Sequence, residues 1–206
     1  MKKEMKLLSQ GAEAKIYLDK DIITKHRFEK TYRHPEIDKR LRKSRTKRES
    51  KVLQKLEDAK FPAPRLLDTD SFETIRMQNV KGKKVRDILE KDHKKLSREI
   101  GKKVALLHNL TIIHGDLTTS NMILEKEIYF VDFGLSFFSH KIEDMAVDLH
   151  LLKQALESKH YKIFEEAFDE VLKSYMKYAE KGEEVLKRLE KVETRGRYKL
   201  RGKRKN

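Results

Sequence analysis

Residues 114–134 constrain this chain more than any other stretch. They read His114-Gly115-Asp116-Leu117, then Asn121, then the apolar run Ile128-Tyr129-Phe130-Val131, which ends in Asp132-Phe133-Gly134. An Asp and an Asn five positions apart on a polar loop can converge on one phosphate–metal site. A second Asp at the end of the following strand supplies another hard oxygen ligand. Mg²⁺ takes few such ligands and completes its octahedron with water and substrate phosphates. The plain alternative is a polar turn with an incidental Asp-Phe-Gly. The parts occur in order and at the required spacing, which argues against it.

That spacing matches the protein-kinase signature of a catalytic loop followed by Asp-Phe-Gly. On this reading Asp116 accepts the proton of an attacking hydroxyl or orients a water, while Asn121 and Asp132 hold Mg²⁺. A kinase-like site also needs a glycine-bearing turn over the phosphates, a strand Lys and a helix Glu that pairs with it. The turn is Ser9-Gln10-Gly11-Ala12-Glu13-Ala14. It has one glycine, but backbone N–H groups still cradle phosphate and small residues permit close approach. The strand Lys is Lys25, in Asp21-Ile22-Ile23-Thr24-Lys25. The helix Glu is Glu49, the one acid between Asp38 and Glu57. The bland readings are a hairpin turn, a solvated strand end and a carboxylate that neutralises its neighbours.

Composition bounds the rest. The chain has 206 residues and no cysteine, which excludes disulfides, a thiol nucleophile and a cysteine zinc site. No apolar run approaches the ~18 residues of a membrane span, and the N-terminus lacks the apolar stretch of a signal peptide. The expected address is cytoplasmic, with no membrane partner. The eight histidines form no pair at metal-ligand spacing beside acidic groups, so no zinc is expected, and His114 reads as structural. Net charge is +15, a field that attracts polyanions. Residues 25–51 hold twelve Lys/Arg against four acids, within what reads as folded structure. Residues 195–206 hold seven cations and no acid. These are Arg195, Arg197, Lys199, Arg201, Lys203, Arg204 and Lys205, read as a disordered or semi-ordered basic tail that would attract nucleic acid or another phosphate-rich partner.

The order of elements is strand-rich, then helix-rich. Residues 6–28 suggest an antiparallel hairpin and a third strand. A helix follows His34-Pro35, well solvated in its first half; two prolines near 62–64 break it, and residues 71–80 return as a strand. Ile100, Val104, Leu107 and Leu110 mark one face of a helix. Short strands near 111–115 and 127–134 and helices around 142–156, 164–175 and 185–192 complete the chain. This predicts an α+β, protein-kinase-like fold. It has a β-rich N-lobe with one long helix (1–79), a reduced helical C-lobe (80–194) and the tail.

Taken together, 25-KHRFEKTYRHPEID, RTKRES, HGDLTTSNMI, DFGLS, IEDMAVDLHLL and the final RGR resemble the small atypical kinase subunit of the KEOPS complex, over nearly the whole chain. The resemblance implies Mg²⁺-dependent ATP use within a complex that installs threonylcarbamoyladenosine on tRNA. It implies direct contact with a tRNA threonylcarbamoyltransferase subunit, and other KEOPS subunits as further partners. Carried over by motif, Lys25 contacts the α- and β-phosphates and Glu49 holds it. Met77, Gln78 and Val80 line the adenine hinge, the last two through backbone groups. Asp148 braces the catalytic loop.

Departures from ordinary protein kinases narrow the activity. Gly115 replaces the Arg of His-Arg-Asp. Only seven residues separate Gly134 from Ile142, and there is no Ala-Pro-Glu, so an activation loop and a protein-substrate platform have nowhere to fit. ATP hydrolysis, or phosphoryl transfer to itself or to a bound partner, is the expectation. The rivals are a nucleotide-sensing, tRNA-binding scaffold without catalysis, a small-molecule kinase of the aminoglycoside or choline type, and the RIO group of atypical kinases.

Overall fold

The structure is a computed structural model. It describes residues 5–202, with side chains through Thr194. The chain divides into two units: residues up to Gly82 with Tyr129–Ser136, and Lys83–Ile128 with the chain from Phe137 onward. The segment carrying Asp-Phe-Gly thus groups with the first unit, although the sequence reading draws its lobe boundary at residue 79/80.

The first unit is an antiparallel sheet and one long helix. Strands β1 (Lys6–Gln10), β2 (Lys15–Asp19) and β3 (Ile22–His26) form a meander. Helix α1 (Pro35–Asp58) intervenes before β4 (Leu66–Thr69) and β5 (Thr74–Gln78), and the sheet order is β1-β2-β3-β5-β4. Pro35 suits a first helical turn because its missing N–H would be unpartnered there in any case. At the other end Lys60 turns left-handed (φ 53°), letting Phe61 N–H reach back to the Leu56 carbonyl at 2.9 Å and close the helix. Val52, Leu53 and Leu56 are fully buried on the face α1 turns to β4 and β5. Phe61 meets Phe130 edge-on, centroids 5.6 Å apart.

Strand β4 is absent from the sequence reading, which takes residues 61–70 as a breaker. Its prolines lie just before the strand, and a bulge between Leu66 and Asp68 blurs the alternation. The hairpin is closed by Asp70, whose Oδ1 accepts N–H bonds from Phe72, Glu73 and Thr74 at 2.8–2.9 Å. Burial opposes ionisation of Asp70, but these bonds outweigh it and hold its carboxyl below the ordinary range.

Helix α1 carries an electrostatic burden. Lys39, Lys43, Lys47, Lys51 and Lys55 recur at every fourth position, and all are exposed. Like charges at i and i+4 each cost about 0.2–0.5 kcal/mol, so the four successive pairs cost roughly 1–2 kcal/mol together.

The second unit is mainly helical. A strand pair, β6 (Lys83–Lys84) with β8 (Met122–Leu124), flanks helix α2 (Val85–Ile88). Helix α3 (His93–Asn109) leads to β7 (Ile112–Ile113) and the catalytic-loop segment. Strand β9 (Ile128–Phe130) carries the chain into the Asp-Phe-Gly segment of the first unit. Strand β10 (Phe137–Phe138) pairs with β7, and helices α4 (Ile142–Lys159), α5 (Phe164–Tyr178) and α6 (Gly182–Gly202) follow. The α3 face expected from periodicity is found: Ile100, Val104 and Leu107 are fully buried, Leu110 half-buried. No helix among the described residues is long and apolar enough to cross a membrane.

Gly101 sets how closely α3 approaches α5. A Cβ there would lie 2.2 Å from the Val171 carbonyl oxygen, a backbone atom that cannot step aside cheaply. Gly101→Ala gains about 1 kcal/mol of helix propensity, yet overpacking costs about 3 kcal/mol. The expected result is a net loss of about 2 kcal/mol, read as a drop of roughly 5 °C in melting temperature. An unchanged or raised melting temperature would mean that α5 yields freely.

Candidate nucleotide and metal site

In the first unit β3 presents Lys25 and Arg27 two residues apart, hence on one side of the sheet. Arg27 N–H still donates to the Glu73 carbonyl at 2.8 Å, so pairing runs just past the strand end. Lys25 Nζ donates to Glu49 Oε1 at 2.9 Å and to Asp132 Oδ1 at 2.7 Å. Arg27 donates to the other oxygen of Glu49 and to Thr46 Oγ1. Lys25, Arg27 and Glu49 are buried, whereas the Asp132 side chain is 55% exposed. Burial alone would push the Lys25 ammonium towards neutrality. The carboxylates of Glu49 and Asp132 outweigh it and raise its pKa above the ordinary value, so Lys25 is charged.

Two backbone features make this cluster possible. Asp132 sits at φ 63°, a left-handed conformation that Asp tolerates better than most residues. At Gly134 a Cβ would stand 2.9 Å from Lys25 Nζ and 3.2 Å from Asp132 Oδ1, so the glycine leaves room for the ammonium.

The turn runs from Ser9 and Gln10 at the end of β1 through Gly11, Ala12, Glu13 and Ala14. Gly11 N–H donates to the Ala14 carbonyl at 3.0 Å, and Ala14 is buried. A Cβ on Gly11 would meet nothing closer than 3.9 Å, so packing within the chain does not demand glycine there. Glu13 anchors the turn by ion pairs with Arg33 (3.0 Å) and Arg45 (2.6 Å), and Lys30 donates to the Ala12 carbonyl. Burial works against Glu13 ionising, but the Arg33 hydrogen bond and the Arg45 charge hold its carboxyl below the usual range.

Along the candidate hinge, Met77 is buried in β5. Gln78 N–H is engaged with the Arg65 carbonyl at 2.9 Å, so that backbone donor is already taken. Val80 lies two residues beyond, half-buried.

The second unit holds the loop residues. Asn121 Nδ2 donates to the Asp116 backbone oxygen and to Asp116 Oδ2, both at 2.9 Å. With the amide nitrogen so engaged, Asn121 turns its carbonyl oxygen to other use. A 3₁₀ turn, Thr119–Asn121, presents it, and Thr119 Oγ1 meets His160 Nε2 at 3.1 Å. Beneath the loop, fully buried Asp148 accepts N–H bonds from His114 (2.8 Å) and Gly115 (2.9 Å) and lies 3.3 Å from His108 Nε2. Gly115 adopts φ 77°, which explains why glycine stands where ordinary kinases carry Arg. His108 Nδ1 is 2.9 Å from the hydroxyl of buried Tyr175. An ionised Asp148 assigns the His108 proton to Nε2, and Tyr175 then donates to Nδ1. Burial, with the Asp148 charge, pushes the Tyr175 hydroxyl upward, so it keeps its proton.

Each unit offers hard oxygen donors, which suit Mg²⁺ better than a softer metal: the half-exposed Asp132 carboxylate in the first, and the Asp116 carboxylate and Asn121 amide oxygen in the second. Among the described residues no three His, Asp or Glu side chains gather as a cage of their own. A metal completing its shell with phosphates and water does not require one.

The sequence reading missed Arg27 as the second partner of Glu49. The i, i+2 spacing on a strand was the available signal. It also missed the Glu13–Arg33–Arg45 anchor and the His108–Tyr175 pair. Of the basic tail, Lys203, Arg204 and Lys205 lie outside the described residues, as do the side chains of Arg195, Arg197, Lys199 and Arg201. Helix α6 runs through Gly202, so the backbone over the first part of that segment is helical rather than a loose tail.

The profile of the RIO domain matches residues 3–147. The KEOPS complex subunit Bud32 of Pyrococcus abyssi is 45% identical over 96% of this chain and 98% of its own length. A probable serine/threonine-protein kinase BUD32 homolog of Archaeoglobus fulgidus is 41% identical over 91% of this chain and 94% of its own. A probable bifunctional tRNA threonylcarbamoyladenosine biosynthesis protein of Methanocaldococcus jannaschii is 41% identical over 93% of this chain, which spans 37% of that longer protein. The sequence reading set the RIO group apart as a rival. The profile match places residues 3–147 of this chain in that domain, and the Bud32 relatives support the KEOPS-type reading beside it.

Proposed function

Because the chain belongs to the RIO-domain family and, within it, to the Bud32 subunits of KEOPS complexes, we propose that it turns over ATP with Mg²⁺ as a subunit serving threonylcarbamoyladenosine modification of tRNA. The observation that carries the enzymatic part is the Lys25–Glu49–Asp132 cluster, in which a buried lysine is kept charged between two carboxylates. A decayed site would be under no pressure to retain that arrangement beside an intact Asp116–Asn121 pair.

In this reading Lys25 binds the α- and β-phosphates while Glu49, itself held by Arg27, fixes its position. Backbone groups of the Gly11–Ala14 turn close over the phosphates, and Met77, Gln78 and Val80 border the adenine. Asp132 and Asn121 would hold Mg²⁺ through oxygen. When bound, the ion would supply positive charge to offset that of the phosphoryl oxygens. Asp116 takes the proton of the incoming oxygen, from water or from a hydroxyl of this chain or its partner. The new P–O bond forms as the β–γ bridging bond breaks, with its electron pair leaving on ADP. The partners are a tRNA threonylcarbamoyltransferase subunit and other KEOPS subunits, and the setting is cytoplasmic. The basic residues from Arg195 to Lys205 would neutralise tRNA phosphates, giving largely sequence-independent contact.

The test follows the γ-phosphate of labelled ATP in the presence of tRNA and the transferase partner, with Mg²⁺ and with EDTA. The expected result is Mg²⁺-dependent release of label as phosphate, or its transfer to protein. Nucleotide binding without either would leave a nucleotide-sensing subunit as the correct description.

A further inference from the structure

Helix α1 is rich in cations that no carboxylate among the described residues offsets, whereas three of the five Lys/Arg of α3 (Lys94, Arg98 and Lys103) are held in ion pairs. From Lys39 to Lys55 it carries nine Lys/Arg and one acid, and that acid, Glu49, is buried against Lys25 and Arg27. In α6, by contrast, Gly182–Thr194 mixes four acids with three cations. Lys39, Lys43, Lys47, Lys51 and Lys55 are all exposed, and among the described residues no carboxylate forms an ion pair with any of them. Successive members stand about 6 Å apart along the axis, and the row spans about 24 Å. An i, i+4 row is inclined to the helix axis. It therefore crosses the solvent face diagonally, with Lys43, Lys47 and Lys51 opposite the buried side. The exposed Arg40 and Arg48 flank it.

A row of like charges on a rigid support, at spacing close to that of backbone phosphates, is costly alone and relieved by a polyanion. We propose that the α1 lysine row is a docking surface for the phosphate backbone of folded RNA, and that tRNA is its occupant. The choice of tRNA rests on the function proposed above. The charge is delivered in regular steps with no apolar side chains interleaved, as a phosphate backbone requires. A membrane-surface helix would instead need an apolar face, and that of α1 (Val52, Leu53, Leu56) is spent on its own sheet.

The experiment uses the full-length chain and measures tRNA binding by fluorescence anisotropy across a salt series. The variants are a triple Lys→Gln change at Lys43, Lys47 and Lys51 and the matching triple Lys→Arg change. Gln is close to Lys in helix propensity, so folding is preserved, and thermal melting and ATP affinity serve as controls. The Gln variant is expected to bind tRNA roughly 30-fold more weakly near 0.1 M salt, with a log–log salt slope shallower by about 2–3. The Arg variant is expected to bind like the parent. If the parent binds tRNA and the Gln variant matches it in affinity and slope, the row is not the surface, while the proposed function stands. If the parent binds no tRNA, the tRNA part of that function falls with it. Loss of binding to anionic phosphatidylserine vesicles in the Gln variant, with tRNA binding unchanged, would overturn the choice of partner.

Discussion

Asp132→Ala is expected to lower Mg²⁺-dependent ATP turnover about a thousandfold, ~4 kcal/mol of barrier, while leaving metal-free nucleotide affinity within a few-fold of the parent. The asymmetry follows from how the cluster is wired. Asp132 is the half-exposed member, able to present oxygen to a cation, and under the proposed function its removal takes away a metal ligand. Lys25 keeps Glu49 at 2.9 Å, and Glu49 keeps Arg27, so the ammonium proposed to bind phosphate stays in place and charged. Asp132→Asn separates charge from conformation, because Asn also tolerates the left-handed backbone at φ 63°. It should lose turnover nearly as fully as the Ala variant while melting like the parent. The measurement is kcat and KM at saturating Mg²⁺, with equilibrium nucleotide binding in EDTA. Turnover within tenfold of the parent in both variants would remove Asp132 from the metal site.

What was legible in the sequence was what chemistry forces into a fixed spacing. Asp116, Asn121 and Asp132 stood out because a kinase-like loop and strand end call for these residue types at set intervals, and the structure shows Asn121 bonded to Asp116 and Asp132 bonded to Lys25. Lys25 and Glu49, distant in sequence, became legible once that motif demanded a partner pair, and they lie 2.9 Å apart. The helices were legible wherever an apolar face repeats, as at Ile100, Val104 and Leu107. Arg27 was not, because in a stretch of twelve cations its i, i+2 spacing from Lys25 was the one mark of its buried place. Nor was the His108–Tyr175 bond, which joins residues 67 apart through tertiary packing alone. Strand β4 escaped because its bulge breaks the two-residue period that would have revealed it. Gly115 read as a departure from a familiar motif until its φ of 77° gave the reason.

Asp148→Ala is expected to destabilise the chain by about 4 kcal/mol, because two backbone N–H groups and one imidazole N–H would remain buried without their acceptor. That is a large share of the ~5–15 kcal/mol that holds a typical domain together. Denaturant melts of parent and variant measure it, and a loss below about 1 kcal/mol would mean that water or another group replaces the carboxylate. The same residue gives stability a pH dependence of definite sign. Burial opposes its ionisation, but the hydrogen bond from His108, with the backbone N–H of His114, outweighs burial and holds its pKa below the unfolded value of 3.8. A carboxyl depressed in the folded state binds fewer protons there than in the unfolded chain. Its stabilisation is therefore fully present above pH 3.8 and is lost as pH falls through the lower folded value. The parent should lose stability over that acid range more steeply than the Ala variant, so the two melting curves should converge as pH falls. The loop bearing Asp116 hangs from this carboxylate by the His114 and Gly115 N–H groups, so acid should release the catalytic loop as it erodes the fold. Tyr175→Phe offers a milder perturbation of the same support, removing the donor to His108 Nδ1 while Asp148 keeps both backbone bonds.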